Sequence, residues 1–403
     1  MRGDRHDRNG PFLAASLLRL GVDPARITVV GDDPGDLETA LREGLGHDLL
    51  IVSGGLGPTH DDRTVELLAR AAGVVLRTDE ELAARIEEIS RRVAARLNRP
   101  YADFEHGVRK QATIPDGALV VGLVGTAPAL VLEVGERVAV ALPGPPRELQ
   151  ALWPLVLETE PMRRLLAEAE APARRVLRFY GASESEVARK LAEAGGDGDG
   201  VDVTICARDF EIHVDLFVHA GAEAPADELE ALLESKHLFS RAETGTAELV
   251  LSLLREHALT LATAESCTGG LVAARLTDVP GSSDVFAGAI VAYSDELKVR
   301  QLGVADDVLR EHGAVSAETA AAMARGARNQ LGVDVAVSVT GIAGPDGGTE
   351  EKPVGLVFLH ASGPMGERGL RFDFPGDRET IRGRASVAAL HLVRRLVTES
   401  LQT

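Results

Sequence analysis

The chain has 403 residues, of which 45% are hydrophobic, so it is long enough for two or three globular domains with sizeable cores. Its formal net charge of −19 argues against binding of DNA or RNA through phosphates, and its longest uncharged run, residues 118–132, is too short to span a bilayer. The two cysteines, Cys206 and Cys267, give no disulfide framework. We therefore expect a soluble cytoplasmic protein with no membrane or nucleic-acid partner.

The N-terminal half begins with alternating strand-like and helical patterns. Residues 48–53 form an apolar run that predicts a buried strand, residues 54–57 form a glycine-rich loop, and Asp61 and Asp62 follow. Carboxylates beside such a loop are a plausible place for a metal-bound phosphate. Aspartates after such a loop are also ordinary helix caps, and both interpretations stay open here.

A small α+β module is predicted in the middle of the chain. Residues 167–173 are rich in alanine, glutamate and proline and indicate a linker. The predicted elements after it are strands in 174–180 and 201–218, a helix over 183–194, a flexible turn over 195–200, a helix over 226–235 and a hinge near 236–244.

The stretch Ala264–Gly270 places a serine where a strand gives way to a helix. Residues 259–264 are apolar and residues 270–276 open an amphipathic helix, so Ser266 lies in the turn. Unpaired N–H groups at the helix start could stabilise the oxyanion of a tetrahedral intermediate. A serine needs a base, no histidine is near in sequence, and Lys298 is the candidate, provided that its surroundings favour the neutral amine.

Two other interpretations of this turn compete with a serine nucleophile. Ser266 could simply cap a helix while Lys298 is a solvated cation. Cys267 could itself be the nucleophile, since a thiol at a helix start can become a reactive thiolate.

A second glycine-rich loop follows the apolar run 333–339. Residues 340–348 lie at the C-terminal end of this predicted strand, the edge where open α/β sheets bind ligands. Near the end of the chain, Arg378 and Arg382 share one face of a helix predicted over 377–401. Either arginine could hold a substrate phosphate.

Four C-terminal motifs together resemble the C-terminal domain of the CinA family: Ala264–Gly270, Tyr293–Lys298, His312–Ser316 and Thr340–Gly355. The resemblance implies a nicotinamide mononucleotide amidohydrolase in which Ser266 attacks the carboxamide and Lys298 and Tyr293 manage protons. It implies no cofactor for this step. The substrate contacts implied are Cys267, Thr268, Gly269, Gly270, Ser294, Thr340, Gly341, Gly344 and Arg382.

The N-terminal half resembles the same family through Ser53–Thr64, Arg109–Ala112 and Leu142–Pro146. It looks like the molybdopterin-binding type of α/β domain, which in the family is associated with metal-dependent hydrolysis of ADP-ribose. Asp32 and Asp62 thereby become candidate ligands of a divalent metal or of the substrate. The chain begins just past the first strand and the Gly-Thr-Glu motif of the family, so we expect that strand to be absent.

The resemblance predicts a multidomain α/β protein. Residues 1–166 would form a three-layer α/β/α domain, residues 172–240 a small KH-like α+β domain, and residues 244–403 a CinA-type α/β/α domain. The alternation of strands with helices predicts parallel sheets covered on both faces. The acidic turns of the KH-like segment do not favour nucleic-acid binding.

Two classes of function compete: a pyridine-nucleotide salvage enzyme acting on small nucleotides, and a non-catalytic regulatory protein of the competence or DNA-damage response. The complete set of Ser266, Tyr293 and Lys298 favours the enzyme. A third, weaker interpretation, molybdenum-cofactor assembly, rests on fold resemblance alone. The family leads us to expect a homodimer.

Overall fold

A computed structural model of the chain describes residues 7–167, 169–194 and 198–399. The chain divides into two compact units, Met1–Ala173 and Arg174–Thr403, and both combine helices with mixed sheets. The expected α/β class is thus confirmed, while the three-domain boundaries stay a prediction. Within the described ranges, no helix is long and apolar enough to cross a bilayer.

The first unit is built around a four-stranded sheet of order β1-β6-β5-β4, with a separate β2-β3 pair. Its strands are β1 (Leu49–Ser53), β2 (Leu76–Thr78), β3 (Thr113–Pro115), β4 (Leu119–Leu123), β5 (Pro128–Val134) and β6 (Arg137–Leu142). Its helices are α1 (Asn9–Arg19), α2 (Pro34–Gly44), α3 (Thr64–Ala72), α4 (Glu80–Leu97), α5 (Ala102–Gln111), α6 (Pro146–Leu157) and α7 (Glu160–Leu166).

Helices cover both faces of this sheet because successive side chains of β5 point to opposite sides. Leu130 and Leu132 join a core with α2, α3 and α4, whereas Ala129 and Val131 join a core with α1, α6 and α7. The result is the three-layer arrangement that the sequence predicted.

The stretch between α1 and α2 belongs to no strand among the described residues. Ile27 and Val29 in this stretch are 52% and 53% exposed, which is unusual for side chains of their type. The expectation about a missing first strand concerns the beginning of the chain, and residues 1–6 lie outside the described residues.

The second unit begins with a four-stranded sheet of order β10-β7-β9-β8. Its elements are β7 (Ala173–Tyr180), α8 (Glu184–Glu193), β8 (Val201–Arg208), β9 (Glu211–Val218), α9 (Glu223–Leu233) and β10 (Leu238–Ser240). Apolar side chains of β7, β8 and β9 pack against α8 and α9, so one face of the sheet is covered by its own helices. The predicted α+β module is present. Residues 195–197 of the predicted turn lie outside the described residues.

The rest of the second unit is a five-stranded sheet of order β12-β11-β13-β14-β15. Its strands are β11 (Leu261–Glu265), β12 (Phe286–Val291), β13 (Val335–Gly341), β14 (Leu356–Gly363) and β15 (Gly366–Asp373). Its helices are α10 (Thr246–Glu256), α11 (Leu271–Thr277), α12 (Asp295–Leu302), α13 (Asp306–His312), α14 (Ala317–Leu331) and α15 (Arg378–Glu399). Helices α10, α11 and α15 share the core on one face, and α12 and α14 pack on the other.

The prediction of all-parallel sheets is wrong for both units. Only β1 and β6 are parallel in the first sheet, and in the last one β12, β11 and β13 are parallel while β14 and β15 run antiparallel. Parallel neighbours need a long crossover, but no helix separates β13 from β14, and β14 turns directly into β15.

Helix α12 is fixed on this sheet by an unusually close approach to α14. A Cβ built on Gly326 of α14 would lie 1.9 Å from the carbonyl oxygen of Leu302, the last residue of α12. Real Cβ atoms do not come so near to a backbone atom, so glycine is required here. The approach holds α12 close against the sheet edge at which β11 and β13 end.

Candidate active site

The turn after β11 is held by a buried carboxylate. Glu265 has no solvent exposure, and its side chain accepts hydrogen bonds from the N–H groups of Gly270, Val272 and Ala273 at 3.0, 3.1 and 2.9 Å. The hydroxyl of Thr263 donates a further bond of 3.1 Å. Four donors thus compensate the burial of one carboxylate and fix the chain on both sides of Ser266.

Because of these bonds, the first N–H groups of α11 cannot form the oxyanion site that was expected there. The first N–H groups of α11 are bound to Glu265, and the N–H of Gly269 donates to the Ser266 carbonyl at 3.0 Å. They are therefore not free to bind a developing oxyanion, as the sequence had suggested. The N–H groups of Cys267 and Thr268 lie outside this network, within the turn itself.

Ser266 opens into a cavity of about 190 Å³ at the edge where β11 and β13 end. The N–H of Ser266 donates to the Val339 carbonyl of β13 at 2.9 Å, which holds the serine at that edge. The cavity is lined by Ser266, Cys267, Tyr293, Asp295, Lys298, Ala314, Val315, Thr340, Gly341, Ala343 and Arg378. All three residues expected to be catalytic are in this lining.

Lys298 enters the cavity from the first turns of α12. Ser294 begins this helix by accepting a bond from the N–H of Leu297, and the Lys298 side chain is almost completely buried. Its Nζ lies 3.4 Å from the carboxylate of Asp295, which is 62% exposed. A buried ammonium is costly unless it is paired, and Asp295 supplies a charged partner for this amine.

Cys267 lines the same cavity but does not have the character of a nucleophile. Burial raises the pKa of its thiol to about 12, although the N–H groups of Cys267 and Thr268 face the sulfur and act in the opposite direction. At neutral pH the thiol is protonated, whereas the reactive species is the thiolate. Of the two neighbouring candidates, the structure favours Ser266.

The two arginines of α15 have different places. Arg378 is in the lining and donates to the Gly344 carbonyl at 2.7 Å and to the Tyr293 hydroxyl at 2.9 Å. Arg382 lies outside the lining, and its guanidinium donates to the Thr268 carbonyl at 2.7 Å. Arg382 therefore holds the turn that follows Ser266, whereas the guanidinium of Arg378 lies in the cavity lining.

Of the other residues expected at the site, some line the cavity and some lie outside the lining. Thr340 and Gly341 are in the lining, and the Thr340 hydroxyl donates to the Ala314 carbonyl at 2.7 Å. The residues outside the lining, which shape the backbone around it, are Thr268, Gly269, Gly270, Ser294 and Gly344. Gly269 and Gly270 have φ values of 61° and 94°, which favour glycine.

Sequence reasoning did not single out Glu265, Asp295, Ala314 or Val315. Each lies inside one of the motifs that carried the family resemblance, although no residue of His312–Ser316 was singled out. Position in a motif was therefore the available signal, but it does not tell which neighbour points into the cavity.

The N-terminal carboxylates are not gathered into a metal site. The Asp62 carboxylate accepts bonds from the N–H and hydroxyl of Thr59 at 3.0 and 2.6 Å, as a turn cap does, and Asp32 lies in the stretch before α2. Among the described residues, no group of three or more His, Cys, Asp or Glu is placed to hold a metal ion. These residues do not fit a bound metal, and we derive no step through one.

Comparison with known proteins agrees with this architecture. Residues 243–397 match the family described as CinA C-terminal domain, and residues 1–163 match the probable molybdopterin binding domain. A crystal structure of the competence/damage inducible protein CihA from Agrobacterium tumefaciens is 40% identical in sequence, with a TM-score of 0.37; it covers 38% of this chain and 93% of its own.

Full-length relatives extend the match over both units. A CinA-like protein from Mycobacterium sp. (strain MCS) is 45% identical over 99% of this chain and 96% of its own length. A CinA-like protein from Mycobacterium tuberculosis (strain ATCC 25177 / H37Ra) is 44% identical over 99% of this chain and 95% of its own length. With such identity along almost the whole length, this chain belongs to the CinA family.

Proposed function

We propose that the second unit hydrolyses the carboxamide of nicotinamide mononucleotide to nicotinate mononucleotide and ammonia. The Ser266 hydroxyl attacks the carboxamide carbon while the Lys298 amine takes its proton. The tetrahedral intermediate collapses, the C–N bond breaks, and the proton passes to the departing ammonia. Water then attacks the acyl-enzyme, the ester bond to Ser266 breaks, and the hydroxyl regains its proton.

The observation that carries this proposal is the meeting of Ser266 and a buried Lys298 in one cavity. The serine comes from the end of β11 and the lysine from α12, so only the tertiary fold brings them together. A general base must lie within reach of the proton that it takes, and Ser266 and Lys298 line this one cavity. The protonated Cys267 thiol removes the competing nucleophile.

Tyr293 and Arg378 give the cavity a second polar wall. Since Arg378 donates to the phenolic oxygen, the Tyr293 proton is left to point elsewhere, and the hydroxyl can donate to the leaving nitrogen or the carbonyl oxygen. Arg378 also provides a fixed positive charge, which we assign to the substrate's phosphate in place of Arg382. The choice of a nicotinamide nucleotide rests on family membership.

The test is to measure ammonia and nicotinate mononucleotide release by the purified full chain supplied with nicotinamide mononucleotide in the presence of EDTA. Ser266→Ala and Lys298→Ala should each lower turnover by orders of magnitude. Matched controls are Ser283→Ala and Lys236→Ala, which change exposed residues of the same types and should retain turnover.

Two results would contradict the proposal. One is turnover that persists in Ser266→Ala, and the other is no release by folded wild-type protein. The latter would shift the balance to a non-catalytic regulatory role, in which loss of Ser266 leaves partner binding intact.

A further inference from the structure

The hairpin that joins β8 to β9 has a strained tip. Arg208 pairs with Glu211, so Asp209 and Phe210 form a two-residue loop with φ values of 52° and 67°. This left-handed geometry is usual for such loops, but they normally use asparagine, aspartate or glycine. A bulky aromatic residue at positive φ is an outlier, and such strain persists only where other contacts hold it.

Phe210 is held by contacts from both sheets of the second unit. Its ring lies edge to face with the Tyr180 ring of β7, at 5.9 Å between centroids and 76° between planes. Its ring meets the ring of Phe374 edge to face, at 5.4 Å between centroids and 89° between planes. The guanidinium of Arg384 lies over the same ring at 5.5 Å. The side chain remains 40% exposed, so simple burial does not account for a phenylalanine at this position.

Phe374 and Arg384 lie next to the chain segment that carries Arg378 of the candidate active site. Phe374 lies four residues before Arg378, and Arg384 donates to the Pro375 carbonyl at 2.7 Å within the turn that precedes α15. Arg378 begins α15 and donates to the Tyr293 hydroxyl. The tip thus packs against the segment that determines where α15 begins, and with it the position of Arg378.

The other residue of the tip contacts the helix that follows Ser266. The Asp209 carboxylate lies 3.3 Å from the Arg275 guanidinium of α11, and this helix begins five residues after the serine. One loop therefore contacts both α11, which follows the Ser266 turn, and the segment that precedes Arg378.

We propose that the β8–β9 tip positions the Ser266 turn and Arg378 relative to each other, with Phe210 as the main positioning residue. The expected effect on turnover rests on the proposed amidase function, whereas the expected effect on the position of Tyr293 does not. Phe210 does not touch the cavity. It acts through Phe374 and Arg384 on Arg378, and through Arg378 on Tyr293.

The decisive variant is Phe210→Gly, because glycine adopts the tip conformation without strain while removing the ring. The turn should therefore be retained, and the melting temperature of the full chain should not fall. We expect kcat to fall roughly tenfold or more, as for a misplaced catalytic group, with a smaller change in KM. Phe210→Tyr, which keeps the ring, should restore wild-type kinetics.

The matched control is Leu232→Ala, which removes an equally exposed apolar side chain (39%) from the same module. A readout without turnover is ¹⁹F NMR of protein labelled with 3-fluorotyrosine, since the chain has only three tyrosines. Tyr293→Phe assigns the Tyr293 signal. We expect Phe210→Gly to shift or broaden this signal and Leu232→Ala to leave it unchanged.

An unchanged Tyr293 signal in Phe210→Gly would overturn the inference, and so would an equal loss of kcat in Leu232→Ala. Failure of the proposed function is distinguishable, because it would show as absence of turnover in wild-type protein, while the Tyr293 signal would still report on the tip.

Discussion

Arg378 donates a hydrogen bond of 2.9 Å to the phenolic oxygen of Tyr293, although the two residues are 85 positions apart in the chain. A second bond from the same guanidinium, to the Gly344 carbonyl, ties α15 to the loop after β13. The two bonds come from different nitrogen atoms, Nη1 and Nη2, whereas the donors of a lysine all lie on one nitrogen and do not reproduce this fork.

We therefore expect Arg378→Ala and Arg378→Lys both to lower turnover roughly ten- to a hundredfold, since a hydrogen bond to a charged group contributes about 1.5–3 kcal/mol. Steady-state kinetics of the purified variants would measure this. Arg371→Ala, which removes an exposed arginine of β15, is the control. Wild-type turnover in Arg378→Lys would show that charge alone is needed.

The Glu265 carboxylate is predicted to stabilise the fold as well as the active-site turn. In Glu265→Gln one oxygen acceptor becomes an N–H donor that faces backbone N–H groups, leaving at least one of them unsatisfied at a cost of about 1–3 kcal/mol. For a unit of this size the melting temperature should fall by at least about 2 °C, and turnover should fall with it.

The control for this substitution is Glu248→Gln, which makes the same chemical change at an exposed position in the first turn of α10. Its melting temperature should equal that of the wild type. Equal melting temperatures of the two variants would show that the hydrogen bonds of Glu265 do not contribute the stability assigned to them.

A buried histidine makes the stability of the second unit depend on pH. His391 of α15 donates from Nε2 to Glu211 at 2.7 Å, while its Nδ1 accepts from Arg394 at 3.3 Å, which identifies the neutral ring. Burial lowers the pKa of His391 to about 4, even though the Glu211 carboxylate acts to raise it. Burial would raise the pKa of Glu211, but bonds from His213, His391 and Thr246 outweigh it and lower the value to about 2.

The sign of the effect follows from proton binding. Below its ordinary pKa of 6.5, His391 binds a proton in the unfolded state but stays neutral in the folded state. The free energy of unfolding is therefore highest above pH 6.5 and falls by roughly 3 kcal/mol as the pH is lowered to 4. Glu211 adds a second loss between pH 4.5 and 2.

Calorimetry at pH 7, 6 and 5 should show this loss in the wild type and a flatter dependence in His391→Gln. The transition of the first unit can be marked separately by Trp153, the chain's one tryptophan. His219→Gln, at an exposed histidine of the second unit, should keep the wild-type slope. An equal slope in all three proteins would contradict the assignment to His391.

The two cysteines should differ in their reaction with iodoacetamide at pH 8. Cys206 is exposed, whereas the buried Cys267 thiol, with its pKa of about 12, stays protonated. Peptide mapping by mass spectrometry of the native protein should find alkylation at Cys206 and not at Cys267. Cys267→Ala should keep turnover within a few-fold of the wild type, which a thiolate nucleophile would not allow.

Local patterns predicted most of the elements around the site. The change from an apolar run to glycines and then to an amphipathic pattern located the Ser266 turn, because these features depend on neighbouring residues. Strand direction depends on what connects two strands, and the expectation of parallel neighbours after β13 was wrong for that reason.

Placement of side chains was harder to predict. Arg378 and Arg382 have the same helical phase, so periodicity puts both on one face, but only the end of α15 nearest the β13 loop reaches the cavity. The helix that carries Lys298 is held against α14 where Gly326 meets Leu302, a contact between residues that are not neighbours in sequence. Such contacts have no local signature.

The reversal of direction between β13 and β14 has a consequence for how this fold could diversify. Because β14 runs back along β13, the whole connection over residues 342–355 must begin and end at the sheet edge that bears Ser266. Its two ends are anchored by paired strands, so its length and composition can change without disturbing the nucleophile or the base. If the proposed function holds, selectivity for the size of the substrate can thus evolve, or be engineered, separately from the chemistry.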